Sequence, residues 1–268
     1  MDITEHLKSV ENSLRDLFHY ILSKNIGKNW VASCGISPQR IEQWESRKAE
    51  DEKRFGHTEP RLIYYSDFYD LKNILKKNWD KGLSDVFIKL KYYEVHLDIL
   101  NEIRNPDAHR RELLPYQKYL VIGITGKIRT DITRYFSEMD TGESYYPRIE
   151  SVQDSLGNTW SIGQNKTLNT LKVLRPREQV QFKVTGTDPK GEILNFGLHP
   201  MSVPHHVEWN ETGDFELTIK EEHVKDKLWV SLLIKSNREY HPVHEIGVGK
   251  VDAIVKFGYE VLPPRTEC

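Results

Sequence analysis

The stretch Arg104-Asn105-Pro106-Asp107-Ala108-His109-Arg110-Arg111 brings together the side chains best suited to chemistry in this sequence. Asn105 followed by Pro106 reads as a helix start, with Asn as the N-cap and Pro at the first helical position, where its missing N–H costs nothing. Arg104 then closes one helix, and His109 falls in the first turn of the next. The positive end of that helix disfavours imidazolium, so His109 is expected to be neutral near pH 7 and able to serve as a general base. Arg104, permanently charged, can hold a phosphate through two parallel N–H donors. A base beside a phosphate clamp suffices to drive an RNA 2′-hydroxyl onto its own phosphodiester, with no metal and no cofactor. The same residues also read as an ordinary helix cap followed by solvated arginines.

The elements that must position these residues are helical. Ile3, Leu7, Val10, Leu14, Leu17, Phe18 and Ile21 recur three or four apart, which predicts a helix from Ile3 to Ile26 stopped at Gly27. The charged stretch Gln43 to Glu52 continues the helical pattern. Ser66 reads as the N-cap of a helix running to about Trp79. Another helix is expected from Leu83 to Ile103, repeating Val86, Phe87, Leu90, Tyr93, Leu97 and Leu100. The next, after Asn105-Pro106, carries Leu113, Leu120, Ile124, Ile128 and Ile132. This is a bundle of helices.

From Pro147 the period falls to two. Val180 to Val184 and Phe215 to Ile219 alternate apolar and polar residues, Trp229 to Ile234 and Ala253 to Leu262 read as further strands, and Gly-containing turns lie between them. About seven such strands predict an antiparallel sandwich resembling an immunoglobulin-like domain. The expected fold class is α+β in two domains: an all-α bundle over 1–138, a linker over 139–147 and an all-β sandwich over 148–268. Trp160, Trp209 and Trp229 are expected in the sandwich core, and His199, His205, His206, His241 and His244 read as loop histidines in preference to a metal site.

Composition narrows the function classes. The chain has 268 residues and a formal net charge of −2. Residues 1–150 hold 24 Lys and Arg against 24 Asp and Glu, so any nucleic-acid contact must be local. Cys34 and Cys268 are the only cysteines, which excludes a disulfide framework and a zinc site built on several thiolates. With no apolar run of membrane-spanning length and no apolar leader, a cytoplasmic protein without membrane contact is expected.

Arg104, polar Asn105 and His109 resemble the signature of the HEPN superfamily: Arg, a polar residue, a short spacer, then His. Tyr65, Asp67, Phe68, Asn78 and Trp79 are similar to the upstream residues of one branch, that of a messenger-RNA surveillance endoribonuclease. The likeness covers roughly residues 1–136. It implies a helical bundle that forms a homodimer with a composite cleft and cleaves RNA without metal, leaving a 2′,3′-cyclic phosphate. Such proteins often act as toxins or antiviral-defence effectors. In that reading Arg104, Asn105 and His109 are catalytic and Arg110 and Arg111 bind RNA, while the sandwich senses or binds an unknown ligand or protein. The alternative is an inactive dimerisation module presenting a ligand- or protein-binding sandwich.

Overall fold

The computed structural model describes residues 3–56, 58–104, 113–201 and 206–264. It is a mixed α+β protein: helices fill the N-terminal half, and mostly antiparallel strands follow. The chain divides into two compact units, Met1–Ile132 and Thr133–Cys268.

In the first unit, α1 (Thr4–Asn25) buries Leu7, Val10, Leu14, Leu17, Phe18 and Ile21, the face its spacing predicts, and Gly27 follows its end at φ +116°, a left-handed turn that glycine adopts without strain. The second helix, α2 (Pro38–Phe55), has Pro at its first position and buries only Trp44. The third, α3 (Phe68–Lys77), starts one residue later than Ser66 implies: Asp67 is its N-cap, and the Asp70 carboxylate accepts the Asp67 N–H at 3.0 Å. Ser66 is instead buried, with its carbonyl accepting Arg15 Nη2 at 2.7 Å. Asn78 closes the helix, donating to the Cys34 and Ile74 carbonyls at 2.8 Å each.

The helix expected from Leu83 begins later, as α4 (Leu90–Arg104). Leu83–Asp85 form a 3-10 turn after Gly82, which sits at φ +98°. Leu83 is the one buried residue of this turn, and Val86 and Phe87 are buried just after it, so the three imitate a helical face without extending the helix. The last helix, α5 (Pro115–Thr141), buries Val121, Ile124, Ile128 and Ile132 and continues through Met139–Thr141, read from sequence as linker. Leu120 is not in the core but 40% exposed. The helix start expected at Asn105-Pro106 lies outside the described residues.

Among the described residues the second unit has three sheets. One runs β2 (Thr159–Ser161), β1 (Arg148–Asp154), β4 (Gln179–Thr187), β7 (Asp214–Thr218). Another runs β3 (Thr167–Leu174), β11 (Ala253–Val261), β8 (Lys225–Lys235), β5 (Asn195–Pro200), β6 (Glu208–Asn210). The third is a hairpin of β9 (Val243–Glu245) and β10 (Gly249–Val251). Phe182 of β4 packs edge-on against Phe257 and Tyr259 of β11, 6.1 and 6.3 Å between ring centroids. The Tyr259 hydroxyl donates to Asp154 at 2.6 Å, a buried hydrogen bond from β11 to β1.

Three expectations change here. The strands are not all antiparallel: β3 pairs in parallel with β11, a strand far from it in sequence and not joined to it by a hairpin. Only Trp160 of the three tryptophans is fully in the core, at 4% exposure. Trp209 is 38% exposed, its ring lying where a Cβ on Gly197 would stand, and Trp229 lies likewise over Gly258 with Lys227 Nζ 4.9 Å from its ring centroid. A glycine on the neighbouring strand gives each indole a flat seat on the sheet. His199 and His244 fall in β5 and β9, not in loops.

Candidate active site around Arg104

Arg104 is the last residue of α4, where a cation complements the negative helix end. Its side chain is 41% exposed, and its guanidinium carbon lies 6.0 Å from the Phe68 ring centroid. Phe68, itself 1% exposed, opens α3. Arg104 Nη2 reaches Glu11 Oε2 on α1 at 3.3 Å. Glu11 is buried, and its other oxygen accepts Arg15 Nη2 at 2.6 Å.

The two arginines sharing this carboxylate differ sharply. Arg15 is 12% exposed at its side chain and also holds the Ser66 carbonyl and Asn12. Burial pulls its guanidinium below its ordinary pKa; Glu11 works against that, while Arg104 adds to it. Arg104 touches the same carboxylate through one longer contact and is open to solvent. Arg104 is thus the less committed of the two guanidinium groups, with N–H donors left facing solvent.

A second ionic network holds the start of α3. Asp70, fully buried, accepts Arg40 Nε at 2.5 Å, Arg40 Nη2 at 2.8 Å and Trp44 Nε1 at 3.1 Å. Asp67 accepts Arg40 at 2.6 Å and Arg47 at 2.9 Å. Burial pushes the Asp67 carboxyl up, yet Arg47 and Arg40 hold it below its usual value. Asp16 of α1 accepts Arg61 Nη1 at 2.8 Å and the Tyr64 hydroxyl.

The upstream residues singled out in the sequence therefore have identifiable places. Asp67 caps α3 and is clamped by two arginines, Phe68 lies under Arg104, and Asn78 ends α3. Tyr65 and Trp79 stand beside these caps, partly exposed. Asn105, His109, Arg110 and Arg111 lie outside the described residues, as does His205. Glu11 and Arg15 were missed in the sequence, although their four-residue spacing is that of a helix-face ion pair. Among the described residues, no three His, Cys, Asp or Glu side chains gather as a metal site would require, and no helix is long and apolar enough to cross a membrane. No protein-family model, curated protein or solved structure matches the chain.

Proposed function

We propose that the helical unit is a metal-independent endoribonuclease of HEPN type, serving as a toxin or antiviral-defence effector in the cytoplasm. The observation that carries this reading is the state of Arg104. It ends α4 directly ahead of Asn105 and His109, exposed and resting over Phe68, with one 3.3 Å contact to a carboxylate that Arg15 already holds. Such an arginine can turn a second pair of N–H donors to a scissile phosphate without losing a buried partner.

In the proposed reaction His109 takes the proton of the 2′-hydroxyl, and the oxygen attacks the adjacent phosphorus. Arg104 stabilises the charge that builds on the phosphoryl oxygens. The bond to the 5′-oxygen breaks, leaving a cyclic phosphate and a 5′-hydroxyl. Asn105 positions the turn, and Arg110 and Arg111 hold flanking phosphates. The active form is a homodimer through the helical unit. Leu114, Tyr116, Tyr119 and Leu120, 55, 64, 65 and 40% exposed at and just before the start of α5, offer the apolar surface for that contact. The sandwich, of immunoglobulin-like type, is the sensing or binding domain.

The Glu11 contact favours a second reading, in which Arg104 is a structural tie and the unit an inactive dimerisation module. One experiment separates the two: incubation of the purified protein with total RNA and with single-stranded DNA in EDTA. The nuclease reading expects RNA fragments ending in 2′,3′-cyclic phosphate and intact DNA, which lacks the attacking hydroxyl. Intact RNA would leave the module reading.

A further inference from the structure

The strand-rich unit carries a cleft that RNA cleavage does not use. It has a volume of about 470 Å³ and lies between β6 and β7, edge strands of the two larger sheets. Cavities of about 300–1,000 Å³ are the usual size for binding sites. Leu198 and Leu217, 3% and 8% exposed, give it an apolar floor, and Glu208, Glu216 and Glu222 line it. Gln179 and Gln181 hold the Glu216 carboxylate at 3.0 and 3.5 Å, neutral donors that fix its place without cancelling its charge. Lys220 stands 3.7 Å from Glu222, so the lining sets three carboxylates against one ammonium. Phosphate backbones are repelled here, and cations are attracted.

A buried histidine completes the lining. His223 is 2% exposed, and its Nδ1 accepts the Lys220 N–H at 3.1 Å, which puts the proton of the neutral ring on Nε2. Burial lowers its pKa and keeps the ring neutral. Its Nε2 has Glu222 at 4.0 Å, beyond hydrogen-bond reach, and the atom opens to the cleft, where water or a ligand carbonyl can accept its N–H. The third feature is the backbone. Glu216, Leu217 and Thr218 line the cleft in succession, and successive strand residues face opposite sides, so the edge of β7 itself faces the cleft. Its side away from β4 has no strand partner among the described residues.

We infer that this cleft binds an extended, basic peptide segment of a partner protein, laid along the free edge of β7 with Lys or Arg side chains at Glu208 and Glu216. A strand supplies ladder hydrogen bonds, a backbone carbonyl for His223 and cations for the carboxylates, a combination no simple amine offers. This site is independent of the nuclease reading.

The test uses the full-length protein and a labelled peptide of alternating Lys and Val, with binding read by fluorescence anisotropy at low ionic strength. Saturable binding is expected, with no binding of the matching Glu and Val peptide. Glu208→Gln combined with Glu216→Gln should weaken binding by about tenfold or more, as should N-methylation of the peptide backbone at alternate residues. Both glutamates are exposed, so the variant should keep the wild-type circular dichroism spectrum and the same action on RNA. Equal binding by the double variant would overturn the site. Equal binding of the N-methylated peptide would reduce it to a cation-binding patch, and no saturation at millimolar peptide would remove it. Because anisotropy does not depend on RNA cleavage, failure of the nuclease reading leaves this result standing.

Discussion

Removing either arginine from Glu11 should have very different costs, and the difference decides whether Arg104 is a structural tie. In Arg15→Met the buried Glu11 loses its 2.6 Å partner and keeps only the 3.3 Å contact to Arg104, while the Ser66 carbonyl loses its donor. Breaking a buried pair costs about 3–5 kcal/mol. Arg104 compensates part of that, so about 2–3 kcal/mol is expected. In Arg104→Ala the lost contact is longer and its donor is 41% exposed, and such solvent-screened pairs are worth about 0–1 kcal/mol. Loss of the side chain's cover over Phe68 falls within that range. Urea unfolding followed by tryptophan fluorescence reads both, because Trp30 and Trp44 are buried in this unit. With a slope of about 2 kcal/mol per molar urea, Arg15→Met should lower the midpoint by about 1–1.5 M and Arg104→Ala by less than about 0.5 M. A loss for Arg104→Ala as large as for Arg15→Met would refute the reasoning and return Arg104 to the architecture.

Asp70→Asn should be the most damaging isosteric change near the site, since a fully buried carboxylate serving Arg40, Trp44 and the Asp67 N–H becomes an amide; about 3 kcal/mol is expected by the same urea assay, and a loss under about 1 kcal/mol would count against the network. Acidification should destabilise the fold through His19 and His223, whose folded pKa values are lowered, chiefly by burial. The unfolded chain binds protons more tightly at both, so their contribution is whole above an unfolded pKa of about 6.5 and is lost as pH falls from there through the lowered folded values. Melting temperatures between pH 7.5 and 5, compared with the variant His223→Gln, should show a smaller acid-induced drop in the variant; equal drops would contradict the assignment to His223.

Local periodicity made the regular elements readable. The α1 face, the alternation in β4 and β7, and Gly27 as a stop each depend on neighbours in sequence, and each stands in the structure. Long-range geometry was not readable in the same way. Leu83, Val86 and Phe87 have helical spacing but occupy a 3-10 turn and the residues after it, and Ser66 yields the N-cap to Asp67 because Arg40 and Arg47 reach Asp67 from α2. Trp209 reads as core until Gly197 is known to be its cross-strand partner. At the candidate site, Arg104 was legible through its motif, whereas Glu11 comes to it from α1 and carries no local mark. His223 was invisible for a related reason: its burial and fixed tautomer come from the turn at Lys220 and the two edge strands around it, not from any motif.

The most direct test of the central claim is the single-turnover rate of RNA cleavage in EDTA by wild type, His109→Ala and Arg104→Ala, each at its own matched circular dichroism spectrum. Positioned acid–base catalysis is worth about 10²–10⁴, so His109→Ala should fall by that factor, and Arg104→Ala comparably, with urea midpoints within about 0.5 M of wild type. Cleavage by His109→Ala at the wild-type rate would contradict the account, as would activity that vanishes in EDTA and returns with a divalent ion.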